Sequence, residues 1–91
     1  MIFLITFDLK KSQQQYSVLY TQIQAIGEWW HYLDSTWLVR PTRAGLNNAN
    51  DVWNLLAPAV DRNDRLMVIR ITNDFQGWLP TEAWDWIKAR S

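Results

Sequence analysis

The sequence predicts a single α+β domain over residues 1–91, a βαββαβ succession with one further helix at its C-terminus. Three observations carry this. Two apolar runs, MIFLITF before Asp8 and LMVIRIT after Arg65, have the length and the Ile, Val and Phe content of strands. Two intervening segments repeat apolar residues at helical spacing. Between those segments, the aromatic stretch WWHYLDSTWLV divides into two arms around Asp34-Ser35.

The first strand is a near-continuous apolar run ending at Asp8, as expected of a strand central in its sheet. Ser12, with Gln15 three residues on, matches a capping box. Tyr16, Leu19, Tyr20, Ile23 and Ile26 then recur at helical spacing, which predicts a helix over 13–26 stopped by Gly27. Residues 29–33 and 36–40 read as strands, with Asp34-Ser35 as the turn and Pro41 as the end of the second arm. TRAGLNNAN is a polar loop. A helix follows from about Asn48, with Val52, Leu55 and Leu56 on its buried stripe and Pro58 as its end. RLMVIRIT is the fourth strand. NDFQGWLP is a loop, and TEAWDWIKARS a short helix with Pro80 near its first turn. Trp84 and Ile87 face the body together, Trp86 points elsewhere, and Trp78, Trp84 and Trp86 together read as the staple of this helix.

This order is that of a ferredoxin-like βαββαβ sandwich with an added C-terminal helix. The first and fourth strands, the most apolar, are expected at the sheet centre. Two helices are expected on one face. The tail or a second copy of the chain is expected on the other, which makes a homodimer the expected state.

Bulk composition narrows the function. Nine basic and nine acidic residues leave no net charge, against a protein that grips nucleic acid by bulk electrostatics, although a local basic stripe is compatible with this. No cysteine is present, which removes disulfides, thiolate zinc sites and cysteine nucleophiles. A single histidine removes a histidine-rich metal site within one chain. The opening apolar run is short, lacks a basic leader and meets Asp8 at once, so a cytoplasmic protein without a membrane partner is expected.

Asp8 is the foremost candidate for chemistry. Two such aspartates brought together by a two-fold axis could hold one Mg²⁺, which prefers oxygen ligands and keeps several waters. The competing reading is that Asp8 caps the following turn toward Lys10 or Ser12. His31 could act as a general acid if it reached the same groove, or could simply pack in its strand. Asp34-Ser35 is explained by the turn alone. Trp29, Trp30 and Trp37 could stack on nucleobases, but alternation puts Trp29 and Trp30 on opposite faces.

MIFLITFDL, the helix ending at Gly27, HYLDSTWLV and DRNDRLMVIRI together resemble the small CRISPR-associated Cas2 proteins and the related VapD-type ribonucleases. Those families begin with an apolar strand ending in Asp, carry a Ser shortly before an aromatic after the second strand, and close with Asp before an apolar fourth strand. The counterparts are Asp8, Ser35 with Trp37, and Asp64 before Leu66. WWHYLDSTW and GWLPTEAWDWI also resemble short bacterial proteins grouped under a SinR-family label. The resemblance implies a ferredoxin-like homodimer acting on RNA or DNA. An Asp8 pair would bind Mg²⁺ for phosphodiester hydrolysis, with Ser35 and His31 as catalytic neighbours. Two features depart from the pattern. The first helix is rich in Gln where Cas2-type helices carry basic residues, and the tail is a Trp-rich helix where Cas2 supplies a fifth strand to its partner. The first departure, with the zero net charge, motivates the alternative expectation, a non-catalytic dimeric module that docks a protein partner through its tryptophans, and the second leaves the dimer geometry open.

Overall fold

The computed structural model describes residues 1–11 and 16–91, with Tyr32 described by its backbone alone. Its elements are β1 (Ile2–Asp8), α1 (Ser17–Gln24), β2 (Gly27–Leu33), β3 (Thr36–Pro41), α2 (Ala49–Leu56), β4 (Arg65–Ile71) and α3 (Thr81–Arg90). The four strands form one antiparallel sheet in the order β2-β3-β1-β4. With three α-helices among the described residues, this arrangement is compatible with a ferredoxin-like fold.

The centre of the sheet differs from expectation. β1 and β3 are central, and β4 is an edge strand. Both β3 and β4 run antiparallel to β1, so the chain leaving β3 crosses β1 through α2 and lands beyond it. The apolar character of β4 has another cause than centrality. Leu66 and Val68 pack into the core, while Met67 and Ile69 stand exposed on the opposite face.

Period-two alternation divides the interior into two clusters. Phe3, Ile5, Trp37 and Val39 from the sheet meet Leu19 and Ile23 of α1 and Val52 and Leu56 of α2. Their sequence neighbours Ile2 and Leu38 turn the other way and, with Trp30, meet Ala83 and Ile87 of α3. The tail helix thus lies on the second sheet face, as one of the two expected covers. Burying Ile87 there removes a side chain worth about 1.5–3 kcal/mol from water. Glu28 fastens the end of α3, accepting from Arg90 Nε at 2.8 Å while pairing with Arg40 on the neighbouring strand. The Arg90 guanidinium also rests 4.6 Å from the Trp86 ring centroid.

The helix boundaries have local causes. Ser12 and Gln15, the expected capping box, lie outside the described residues. α1 ends two residues before Ile26, and Gly27 is the first residue of β2, paired opposite Pro41, and not a helix cap. A Cβ at Gly27 would come within 2.6 Å of the Thr42 nitrogen and closer still to the Arg40 carbonyl oxygen. Close strand approach, not a left-handed turn, requires this glycine. α2 starts where the sequence places it and is capped by side chains: Asn48 Oδ1 accepts from Asp51 N at 2.8 Å, and Asp51 Oδ2 accepts from Asn47 N at 2.9 Å. α2 ends at Leu56, and Pro58 follows in a short 3₁₀ turn over Ala57–Ala59.

The tail tryptophans behave differently from one another. Trp84 packs under α3 and stacks on Phe75, their centroids 6.0 Å apart. Trp86, expected to point away, is half-buried against the same cluster beneath Arg90. Trp78, expected in the staple, is fully exposed.

Candidate functional site

The candidate site grows from the carboxyl end of β1. Alternation directs Ile2, Leu4, Thr6 and Asp8 to the face away from α1 and α2. α3 covers the Ile2 end of that face and leaves the Asp8 end open. There Thr6 lies between Thr36 of β3 and Met67 of β4, and the two threonine hydroxyls are 3.2 Å apart. Asp8 lies opposite Arg65, and its carboxylate pairs with Lys10 Nζ at 3.6 Å. About three quarters of the Asp8 side chain is accessible, at 74%. The carboxylate is therefore accessible to a ligand.

The β2–β3 turn is brought to the same end. Phe7 N donates to Ser35 O at 3.1 Å, so the turn is tied directly to β1. Asp8, Lys11, Tyr20, Asp34 and Ser35 then line a groove of about 220 Å³. On the other side of Asp8, Thr6, Arg65 and Met67 line a wider, shallower depression. Asp8 and Ser35, linked in the sequence only by resemblance, thus share a groove. Asp34 joins them as a second carboxylate, which its turn-forming role had hidden.

His31 borders that groove without lining it. Its ring stacks on Trp37 with centroids 3.7 Å apart and planes 12° from parallel. Its Nε2 lies 2.9 Å from Asp34 O. Trp37 is also flanked by Tyr20 and Trp29, at 5.9 and 5.3 Å. The histidine therefore closes an aromatic stack and braces the turn backbone.

Asp64, the other acidic residue of the resemblance, is buried and does structural work. Its Oδ1 accepts from the Tyr16 hydroxyl at 2.6 Å and from Lys10 N at 3.0 Å, and its Oδ2 accepts from Asp61 N at 2.8 Å. The Tyr16 bond, followed by the Lys10 backbone bond, holds the carboxyl below the usual carboxylate range. The same cluster raises the Tyr16 hydroxyl, first through burial and then through its bond to Asp64. Lys11 pairs with Asp61 at 2.8 Å, and that partner raises its ammonium. Asp64 thereby fixes the chain just beyond Asp8 against the start of β4.

Among the described residues, no group of three or more His, Asp or Glu side chains is gathered to hold a metal ion. No described helix is long and apolar enough to cross a membrane. What fold and site define is a small α+β domain with an exposed carboxylate at the end of a central strand, beside a serine-bearing turn. Comparison with known protein families, characterised proteins and solved structures finds no match.

Proposed function

We propose that the chain acts on nucleic acid as a homodimer of the Cas2/VapD-like kind, with a ferredoxin-like fold and with Asp8 as its central residue. The observation that carries this reading is the exposed Asp8 carboxylate at the open end of the sheet, sharing a groove with Ser35. A single copy offers Asp8 and, nearby, Asp34, which falls short of a metal shell. Mg²⁺ is satisfied by one or two carboxylates with waters completing its octahedron, so one Asp8 from each of two copies fits its chemistry. When bound, Mg²⁺ supplies positive charge to a phosphodiester and eases deprotonation of an attacking water. The chain's own part is to hold the two carboxylates and position the backbone of the nucleic acid. Lys10 and Arg65 flank Asp8 and offer cations to phosphate oxygens. The Ser35 hydroxyl can hydrogen-bond to the same group. His31 acts by bracing the Asp34–Ser35 turn.

The test is cleavage of RNA and DNA by the purified chain with Mg²⁺, beside Asp8→Asn. The expected result is cleavage that Asp8→Asn reduces at least about a hundredfold, within the range for removal of a key catalytic electrostatic group. Equal cleavage by both proteins, or none by either, rejects the enzyme reading.

A second reading is favoured by the zero net charge and by the exposed apolar side chains Leu33, Met67 and Ile69. In it the chain is a non-catalytic dimeric module that docks a protein partner. Binding of no oligonucleotide at any salt concentration, with a defined protein complex recovered, selects this reading over the first.

A further inference from the structure

Trp78 leaves its entire side chain in solvent, forgoing the burial of about 150–250 Å² that a tryptophan brings to a core or interface. Its near neighbours Gln76 and Leu79 line an apolar cavity of about 130 Å³ between the tail and the second sheet face. Leu4, Leu33, Leu38 and Trp84 supply other walls. The Trp78 ring lies wholly outside this cavity.

We propose that a second copy of this chain seats its Trp78 in this cavity and receives the first copy's Trp78 in return. The volumes agree. An apolar cavity of about 150 Å³ accepts a benzene ring, so the six-membered ring of an indole matches this one. The indole N–H then stays at the mouth, near Gln76. The Gln76 side-chain oxygen accepts from Gly77 N at 3.0 Å and retains a second lone pair for that donor. Donor ring and receiving cavity belong to one strip of chain, so a two-fold axis beside the strip fills both seats at once. Such a contact closes as a dimer and leaves no free seat to propagate a filament. Two tryptophans alone fall short of the roughly 1,200 Å² of total burial in a stable interface. Met67 and Ile69, exposed on the same sheet face, are available to extend the contact.

This inference deepens the dimer invoked above and is independent of its chemistry. The experiment is sedimentation equilibrium of the full chain without nucleic acid or divalent cation. The wild type is expected to dimerise. Trp78→Ala should weaken association by at least about 30-fold, as truncation of an interface anchor does. Leu33→Arg should do the same at the cavity mouth, with circular dichroism unchanged because Leu33 is already half exposed. Mixing these two variants should recover association that neither shows alone, since one intact ring then meets one intact cavity. Asp8→Asn should associate as the wild type does, so failure of the nuclease reading leaves this result untouched. A wild type that stays monomeric, or a Trp78→Ala protein that dimerises as tightly as the wild type, overturns the proposal.

Discussion

Asp64 and Asp8 show how little an aspartate's place in a motif says about its work. Both border apolar strands, yet one is clamped by three donors and the other stands in solvent. Because the Asp64 carboxyl is held low when folded, its contribution is complete above its unfolded pKa, about 3.9. It is lost as pH falls through the lower folded value. The Tyr16 hydroxyl has the opposite sign. Its raised pKa makes its contribution complete below about pH 10 and lost as pH rises through the folded value. Denaturation across pH checks both: Asp64→Asn should flatten the acid limb, and Tyr16→Phe the alkaline limb. Asp64→Asn should also lower the midpoint at neutral pH, because an amide cannot accept from all three donors. Neither behaviour was legible in the sequence, where the donors lie up to 54 residues away. Gly27 was legible as a glycine with a purpose, but of the wrong kind. Gly27→Ala should cost about 1–3 kcal/mol, the range for forced overpacking, measured by urea denaturation.

Strands and helices were the most readable features, since apolar periodicity reports them directly. The Asp34-Ser35 turn falls where its residue types put it, and α2 starts and ends where Asn48 and Pro58 place it. α3 is the informative exception. Its length and start could be read, and Trp84 faces the body with Ile87 as their spacing predicts, but the half-burial of Trp86 and the exposure of Trp78 could not be read, because all three tryptophans have the same apolar character. α3 docks mainly through Ala83 and Ile87, with Glu28 holding its end. Ile87→Ala should therefore cost about 2–4 kcal/mol in denaturant melts, as removal of a buried aliphatic side chain does. Hydrogen exchange in α3 should rise before exchange in β1 or β3.

The sheet as a whole sets the chemistry that is available. One face is filled by α1 and α2. The tail fills half of the other, so the Asp8 end is the part left open to a ligand or a second copy. Local signals in the chain determined the elements and the aspartate that ends β1: these depend on neighbours a few residues apart. The edge position of β4, the meeting of Asp8 with Ser35, the burial of Asp64 and the stranding of Trp78 were decided only in three dimensions. Each depends on which distant segment comes to lie against it, and periodicity along a chain carries no record of that.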